Sequence, residues 1–432
     1  MMKVYKNPGK KDWPEILSRP QEDFGKLESL VNRIFDEIRQ TGDKAVLKYA
    51  KQFDKIVPDR LEVSDEEFLE AERQVHVELK QAITSAKKNI EIFHSAQVEK
   101  VRKLKIIEGV KCWRKCVAIE KVGFYVPGGT APLFSTVLML GIPAKIAGCR
   151  DIILCTPPSQ SGKISPAILY TARLAGIKRV FKVGGIQAIG TMAFGTETIP
   201  RVYKIFGPGN QYVTMAKQIV GKYGIPIDMP AGPSEVMIVG DQSAVPEYIA
   251  ADLLSQAEHG PDSQVIFITL YEKLIDKIQE QLNEQLKSLP RKDTVIESLG
   301  NSKIILLNNK EEAILLINEY APEHLILAVK DQEFFEKNII NAGSVFIGNY
   351  SPESAGDYAS GTNHTLPTNG FAKAYSGVSV DSFVKKITFQ HITKEGLKNI
   401  GPVVETMAEA EQMEAHKRAI SVRLRTKQFD NN

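Results

Sequence analysis

An acidic and an imidazole side chain stand side by side at Glu323-His324, directly before the apolar segment Leu325–Val329. Such a pair suits proton transfer, because histidine gains and loses a proton near neutral pH. Neighbouring side chains of a regular strand point to opposite faces, so both could reach one substrate only where the backbone is irregular, which Pro322 favours. A solvated polar pair at a strand entrance would give the same sequence. Because the pair precedes its strand, whereas crevice residues usually follow theirs, an antiparallel strand is one explanation.

Gln256 and His259 stand three residues apart at the end of a predicted helix, Pro246–His259. This spacing places both side chains on one helical face, where an amide oxygen and an imidazole nitrogen could hold a metal ion. Gly260 and Pro261 then end the helix. A surface histidine that stabilises the helix end through the macrodipole explains the same residues more simply.

Asp357 and His364 lie in a segment of small and polar residues, Ser351–Gly370, after the predicted strand Ser344–Ile347. A connection of this length without predicted structure usually carries function. Either side chain could ligate a metal or bind substrate, although a solvated surface residue is the ordinary interpretation of each.

Glu411 and His416 lie in a predicted C-terminal helix, Val403–Leu424. Five residues rotate by about 140° around an α-helix, so the two side chains do not share a face. Helical periodicity alone therefore assigns both to solvated positions.

Four glycine-rich turns each follow a segment predicted to be a strand. In an open parallel α/β sheet, ligands bind beyond the carboxyl ends of the strands, where glycine lets the backbone approach them closely. The turns therefore predict a small-molecule cleft that suits a nucleotide, although the usual nucleotide fingerprints are missing. Asn210 is predicted to cap the following helix and to place its amides near a phosphate. The turns are Pro127-Gly128-Gly129, Gly184-Gly185, Gly207-Pro208-Gly209-Asn210 and Ala231-Gly232-Pro233-Ser234.

Strand and helix patterns alternate from Val117 onward and predict an α/β fold with two parallel units side by side. Two earlier helical stretches, Phe24–Phe53 and Ser64–Gln97, are predicted to cover the core. The predicted strands are Asp151–Cys155, Arg179–Val183, Val202–Phe206 and Ile225–Met229, then Val236–Val239, Val265–Leu270, Lys303–Leu307, Leu325–Val329 and Ser344–Ile347. The predicted helices are Pro166–Ala175, Gln187–Phe194, Gln211–Tyr223, Pro246–His259, Glu272–Leu286, Lys310–Tyr320 and Gln332–Ile340.

The chain of 432 residues is too long for one ordinary core, so two or three domains are expected. Its net charge of +3 is small and no lysine-arginine block occurs, so nucleic acid is not a predicted partner. The N-terminus lacks the pattern of a signal peptide, and the longest apolar region, Val137–Cys149, is too short and too interrupted to span a bilayer. We therefore expect no membrane association and a cytoplasmic location.

Four cysteines, Cys112, Cys116, Cys149 and Cys155, have the spacing of neither a thioredoxin-like pair nor a zinc site. Burial as small apolar residues is the expected role of each. A catalytic thiol at Cys155, which ends a predicted strand near the crevice, is the alternative.

Five long segments together resemble the histidinol dehydrogenase family, and the resemblance extends over nearly the whole chain. The length of these motifs makes a chance match an unsatisfactory explanation. They are Val122–Gly129, Phe206–Asn210, Asp228–Glu235, Leu254–Asp262 and Ser351–His364.

The resemblance implies a zinc-dependent homodimer that oxidises L-histidinol through L-histidinal to L-histidine with two equivalents of NAD, the last steps of histidine biosynthesis. It also implies two Rossmann-like, aldehyde-dehydrogenase-like α/β domains with parallel-rich sheets, plus small N-terminal and C-terminal helical extensions. The implied boundaries are an N-terminal extension (1–20), a first domain (21–120 and 235–377), a second domain with the NAD crevice (121–234) and a helical tail exchanged between subunits (378–432).

Matched motif by motif, the resemblance assigns proton transfer to Glu323 and His324. The implied zinc ligands are Gln256, His259, Asp357 and His416, and the implied NAD contacts are Tyr125, Gln187 and Asn210. The implied substrate contacts are Ser234, Gln256, His259, His324, Asp357, Glu411 and His416. Residues of a tail that reaches the partner's site need not act from one helical face, so the objection to Glu411 and His416 no longer applies.

These roles suit the side chains. A neutral imidazole at His324 could take the alcohol proton as hydride leaves, and Glu323 could activate the water that adds to the aldehyde. The matched motifs contain no cysteine, which argues against a thiohemiacetal route. Zinc would mainly orient the substrate.

Three alternatives stay open. A zinc hydrolase would use the same metal and a water activated by Glu323, but would give the glycine-rich turns no purpose. A related dehydrogenase of another small amino- or sulfo-alcohol is a closer alternative, and an inactive nucleotide-binding module is the non-enzymatic one.

Overall fold

The computed structural model describes residues 2–20, 24–128, 132–230 and 232–425. Gly129 and Ala231, which belong to two of the glycine-rich turns, lie outside the described residues, as does the end of the predicted tail, 426–432. The chain divides into two compact units. The first comprises Met1–Gln97 and Ile119–Phe383, and the second comprises Val98–Ala118 and Val384–Asn432.

The first unit contains a six-stranded sheet in which all neighbouring strands are parallel. Successive side chains alternate between two buried faces, as all-parallel sheets require: Val236 and Ile238 pack on one face, Met237 and Val239 on the other. In spatial order the strands are Lys3–Lys6, Lys303–Leu306, Gln264–Thr269, Glu235–Gly240, His324–Ala328 and Ser344–Ile347. Helices Pro246–Ala257, Lys273–Leu286 and Lys292–Gly300 cover one face, and Trp13–Ile16, Lys310–Tyr320 and Gln332–Asn338 cover the other.

The same unit contains a four-stranded sheet, also parallel throughout. Its strands in spatial order are Arg179–Lys182, Asp151–Thr156, Lys121–Tyr125 and Lys204–Phe206. Helices Phe24–Thr41, Asp43–Tyr49, Gly185–Phe194 and Gln211–Val220 cover one face, and Asp65–Gln74, Val77–Ser95, Phe134–Ala147 and Pro166–Ala175 cover the other. The predicted α/β fold with parallel-rich sheets is therefore confirmed.

The predicted domain boundaries assign residues 21–120, which contain the cover helices, to the same domain as residues 235–377. In the structure the cover helices pack against the other sheet. Phe35 shares a core with Phe181, and Ile90 shares one with Phe124, so both helical stretches lie on the four-stranded sheet. The boundaries themselves stay a prediction.

Several predicted elements differ from the structure. The helix predicted over Ser64–Gln97 is interrupted because Val75 adopts an extended backbone (ψ 125°). The helical stretch predicted over Phe24–Phe53 is interrupted at Gly42, whose φ is 55°. The strand predicted over Ile225–Met229 is reduced to a single bridge between Ile205 and Ile227, because Pro226 has no N–H to continue a ladder.

The antiparallel orientation considered for the strand after Glu323 is wrong. The strand His324–Ala328 runs parallel to both neighbours, with His324 opposite Val236 and Ser344. The pair therefore lies at the amino-terminal edge of the six-stranded sheet. The segment Ser351–Gly370, which was predicted to lack structure, contains the helix Glu353–Tyr358.

The second unit is an antiparallel sheet with two helices. Its strands in spatial order are Val384–Ile392, Val110–Ala118 and Lys103–Ile107, and its helices are Lys394–Ala410 and Glu414–Arg425. Trp113 and Phe389 stack across two strands with ring centroids 5.5 Å apart. The two helices confirm the predicted C-terminal helical extension. A strand precedes them, however, and a turn with Gln412 at φ 58° divides the single helix predicted over Val403–Leu424.

Within the described ranges, no helix combines the length and the apolar character needed to cross a bilayer. The four cysteines, all of which the structure describes, form no disulfide. Cys155 is fully buried, and burial raises the pKa of its thiol. A buried thiol that resists ionisation is a poor nucleophile, so the alternative of a catalytic Cys155 is not supported.

Candidate active site

The Glu323–His324 pair is buried at the start of its strand. Ala321, just before the pair, has a left-handed backbone with φ 53°, so the chain is irregular where the pair begins. Glu323 Oε2 accepts a hydrogen bond from the Glu235 N–H at 2.8 Å and lies 3.5 Å from His324 Nδ1. The two side chains therefore meet, although in a regular strand they would point apart.

The surroundings of His324 fix which ring nitrogen carries hydrogen. Nδ1 lies 3.1 Å from the carbonyl oxygen of Glu235, which can only accept, so Nδ1 is the donor and Nε2 is the basic nitrogen of the neutral ring. Nε2 lies 3.4 Å from Asp357 Oδ1. Neither of these two buried atoms has a hydrogen-bond partner of good geometry in the described part of the chain.

Neighbouring carboxylates govern the charge of His324. Burial opposes protonation, but the negative charge of Glu323 and the close contacts with Asp357 and Glu323 outweigh it and raise the pKa of His324 well above its usual value. Burial likewise opposes ionisation of Asp357, but the contact with His324 lowers its pKa. The surroundings of His324 thus favour its protonated form. The neutral imidazole expected for the proton-transfer step stays a prediction.

Glu353 is a buried member of this cluster that the sequence analysis missed. Its carboxylate accepts a hydrogen bond from Ser255 Oγ at 2.9 Å. Burial raises the pKa of Glu353 to about 8; the proximity of His324 opposes this rise, and the negative charge of Asp357 adds to it. Glu353 is thus mostly protonated at neutral pH. It lies in the quoted motif Ser351–His364, but only its burial distinguishes it from a solvated residue.

Gln256 lies at the end of its helix, between Glu323 and Glu353, and is buried. In one amide orientation its Nε2 lies 3.4 Å from Glu323 Oε2, while its oxygen faces only acceptors. Turned by 180°, its nitrogen donates to Glu353 Oε1 at 2.8 Å and its oxygen accepts from the Glu235 N–H at 2.9 Å. The turned orientation satisfies both atoms in the metal-free chain, whereas the first would suit a cation beside the oxygen.

A pocket with a volume of about 450 Å³ opens beside the Glu323–His324 pair. Ser234, His259 and Glu323 line it from the six-stranded side, and Asn210 lines it from the loop after the four-stranded sheet. The helix before His259 ends at Ala257, two residues earlier than predicted. His259 therefore lies in the turn beyond the helix, and does not share a helical face with Gln256.

Asp357 and His364, the two candidate residues of the segment Ser351–Gly370, differ in whether their side chains are available to bind a metal ion. His364 Nδ1 lies 2.9 Å from the main-chain oxygen of Asp357, and His364 Nε2 lies 3.0 Å from Thr136 Oγ1. With both nitrogens engaged within the protein, His364 is not available as a ligand. The Asp357 carboxylate retains a buried oxygen without a hydrogen-bond partner among the described residues.

The three residues predicted to contact NAD lie at carboxyl ends of the four-stranded sheet. Tyr125 ends a strand and accepts a hydrogen bond from the Gly185 N–H at 3.2 Å through its hydroxyl. Gln187 lies in the first turn of the helix Gly185–Phe194. Its amide donates a hydrogen bond to Asp54 at 3.3 Å, while its buried carbonyl oxygen has no partner in the described ranges. Asn210 accepts a hydrogen bond from the Val213 N–H at 3.2 Å, which confirms that it caps its helix.

A buried ion pair fixes the loop that carries Asn210. Lys217 Nζ lies 2.6 Å from Asp228 Oδ1 and donates to the carbonyl oxygen of Gly207 at 2.6 Å, while Asp228 Oδ2 accepts from the Gly207 N–H at 2.8 Å. Gly207 has φ 120°, and a β-carbon there would lie 2.0 Å from the Tyr125 main-chain oxygen. Only glycine therefore allows this close approach of loop and strand.

The residues of the first unit suit a divalent cation in chemical type. Asp357 offers an unpartnered buried oxygen, Gln256 an amide oxygen in one orientation, and His259 an imidazole on the pocket wall. Across the described ranges, however, no group of three or more His, Cys, Asp or Glu is arranged to hold a metal ion. One described chain thus supplies suitable donors without an assembled site.

Glu411 and His416 belong to the second compact unit. Glu411 follows the helix Lys394–Ala410, and His416 lies in the first turn of Glu414–Arg425. Because a turn separates Glu411 from His416, their spacing no longer implies that the side chains lie about 140° apart around one helix. Their contribution to the site stays a prediction.

Comparison with known proteins supports one family. The family model described as histidinol dehydrogenase matches residues 17–424. A histidinol dehydrogenase of Bacteroides thetaiotaomicron is 58% identical over 426 residues, which cover 99% of this chain and 100% of that protein. A chloroplastic histidinol dehydrogenase of Arabidopsis thaliana is 51% identical over 413 residues, which cover 95% of this chain and 88% of that protein.

A crystal structure of histidinol dehydrogenase from Elizabethkingia anophelis is similar to the fold described above. It matches with a TM-score of 0.96 and 56% sequence identity, and the match covers 98% of both chains. The chain therefore belongs to the histidinol dehydrogenase family of oxidoreductases.

Proposed function

We propose that this enzyme oxidises L-histidinol through L-histidinal to L-histidine, with zinc and two equivalents of NAD, as the last steps of histidine biosynthesis. The observation that carries the proposal is the buried cluster of Glu323, His324 and Asp357 beside a pocket that Asn210 also lines. Proton-transfer groups of the six-stranded sheet and the Asn210 loop of the four-stranded sheet thus lie beside the same pocket. A hydride transfer requires the substrate and the nucleotide to be held side by side in this way.

In the first oxidation, His324 Nε2 accepts the alcohol proton. The hydrogen bond from Nδ1 to the Glu235 carbonyl holds the ring in the tautomer that leaves Nε2 basic. A neutral ring is needed for this step. A cation held by Asp357 would offset the negative charge that favours the protonated ring.

In the second oxidation, water must add to the aldehyde carbon before hydride can leave. Glu323 lines the pocket and is held by the Glu235 N–H, so its carboxylate is placed to take a proton from that water. The burial of Cys155 supports a direct attack by water over a thiohemiacetal.

Gln256, His259 and Asp357 would hold zinc together with His416, supplied by the partner subunit of a homodimer. Bound there, zinc would serve mainly to fix the imidazole and amine of the substrate against NAD. The absence of an assembled three-ligand group in one described chain is compatible with a ligand set completed by a second subunit.

Tyr125, Gln187 and Asn210 would bind NAD, which accepts the hydride in each oxidation. The unpartnered carbonyl oxygen of Gln187 supports a polar ligand at this position. The remaining substrate contacts would be Ser234, Gln256, His259, Asp357, Glu411 and His416. We also propose a cytoplasmic location, which suits four cysteines that form no disulfide.

Removal of zinc tests the proposed function. Chelation should abolish NADH formation from histidinol and re-addition of zinc should restore it, because the substrate is no longer oriented. Metal analysis should find one zinc ion per chain in the wild type and far less in Asp357→Asn. Asp331→Asn, which removes an exposed helix-capping carboxylate, serves as the control and should retain zinc. Full activity in metal-free protein would contradict the proposed role of zinc.

Mixed dimers test the shared site. His416→Ala chains and Glu323→Ala/His324→Ala chains should each be inactive alone. A random mixture should recover about a quarter of wild-type activity, because half the dimers are mixed and each has one intact site. The measurement is NADH formation after subunit exchange, with mixed dimers isolated by two affinity tags. No gain over the parent variants in isolated mixed dimers would show that each site is self-contained.

The protonation of Glu353 predicts a pH dependence of stability in metal-free protein. Its folded-state pKa of about 8 lies above its usual 4.5, so the folded state keeps a proton that the unfolded chain releases. The free energy of unfolding should therefore fall as pH rises through this window, by up to about 1.4 kcal/mol per pH unit. Glu353→Gln should lack this component.

Urea unfolding at pH 6 and pH 9 measures the effect. Relative to wild type, Glu353→Gln should gain stability at the higher pH, whereas the exposed control Glu333→Gln should not. An identical pH dependence of wild type and Glu353→Gln would mean that Glu353 is already ionised at pH 6.

A further inference from the structure

The N-terminal segment is built into the six-stranded sheet. Lys3–Lys6 forms its edge strand, parallel to Lys303–Leu306. Trp13, Ile16 and Leu17 are buried in the core on one face of this sheet. Arg19 therefore projects from an anchored segment.

Arg19 forms an ion pair with the buried side chain of Glu235. Its Nε lies 2.5 Å from Glu235 Oε1 and its Nη2 lies 3.0 Å from Oε2, a two-point contact in which the Glu235 side chain is only 2% exposed. Arg19 Nη2 also donates to the Tyr320 carbonyl oxygen at 2.8 Å, and the guanidinium lies 3.8 Å from the centroid of the Tyr320 ring. The Asn369 N–H donates to Glu235 Oε1 at 2.9 Å.

The main chain of Glu235 holds both members of the Glu323–His324 pair. Its N–H donates to Glu323 Oε2 at 2.8 Å, and its carbonyl oxygen lies 3.1 Å from His324 Nδ1. One residue thus orients the carboxylate and selects the histidine tautomer. Any displacement of Glu235 would move both groups together.

We infer that Arg19 is a positioning residue of the active site, which acts through Glu235 on Glu323 and His324; the inference rests on the proposed function. Without Arg19, a buried carboxylate close to Glu323 would retain the Asn369 N–H but no opposite charge. An uncompensated buried charge is strongly unfavourable and is relieved when the side chain shifts towards water. The Glu235 N–H and carbonyl would then leave the positions that orient the pair.

Arg19→Gln tests the inference through its separate effects on kcat and KM. We expect kcat for histidinol oxidation to fall at least tenfold, and by a larger factor than KM for NAD changes. Arg19 lines a pocket with Asn210, but its hydrogen bonds go to Glu235 and to the Tyr320 carbonyl. Arg39→Gln is the matched control: Arg39 also lies over aromatic rings, those of Phe194 and Tyr223, but on the other sheet. Its kinetic constants should equal those of the wild type.

The double variant Arg19→Gln/Glu235→Gln separates positioning from a general loss of structure. It removes the buried charge and keeps an acceptor for the Asn369 N–H, so kcat should return to within about threefold of the wild type. An Arg19→Gln variant with unchanged kcat would overturn the inference. A double variant as slow as Arg19→Gln would overturn it as well.

Wild-type protein assayed with histidinol and NAD distinguishes this inference from the proposed function. If the wild type forms no NADH, the proposed function fails, and crystal structures of wild type and Arg19→Gln then decide the inference alone. The distance from the Glu235 nitrogen to Glu323 Oε2 should exceed 3.5 Å in the variant. A distance unchanged from 2.8 Å would refute the positioning role.

Discussion

The balance of buried charge is the constraint on which this site depends. Three largely buried carboxyl groups, those of Glu235, Glu323 and Asp357, lie against the guanidinium of Arg19 and the imidazole of His324. Burial keeps Glu353 largely neutral. Acidic side chains thus outnumber basic ones in a region that water hardly reaches, where an unpaired charge is costly. A divalent cation bound at Asp357 would offset this imbalance.

The fold places these groups by joining two parallel sheets at one pocket. The six-stranded sheet contributes the start of the strand His324–Ala328 and the segment before Glu235–Gly240, whereas the four-stranded sheet contributes the loop that ends in Asn210. The buried Lys217–Asp228 ion pair holds that loop through its hydrogen bonds with the main chain of Gly207. A nucleotide bound at the second sheet would thus lie next to proton-transfer groups of the first.

Periodicity and glycine-rich turns were sufficient to predict the α/β alternation, since buried parallel strands and amphipathic helices leave clear patterns. They did not reveal the break at Val75, where no glycine or proline marks the end of the helix. The orientation of the strand after Glu323 also escaped prediction, because sheet order depends on contacts between distant segments. The turn at Gln412 was also missed, because no glycine or proline marks it in the sequence.

Part of the candidate site could be predicted and part could not. Glu323, His324 and Asp357 were identified from the sequence, and in the structure His324 lies 3.5 Å from Glu323 Oε2 and 3.4 Å from Asp357 Oδ1. Glu353 and Arg19 resemble solvated residues in the sequence, because only tertiary packing buries them beside the pair.

The number of NADH molecules formed per histidinol shows whether one site performs both oxidations. With limiting L-histidinol, excess NAD and zinc, we expect two NADH for each substrate molecule and L-histidine as the product, because one pocket carries both oxidations. A single NADH with accumulated aldehyde, or none at all, would contradict it.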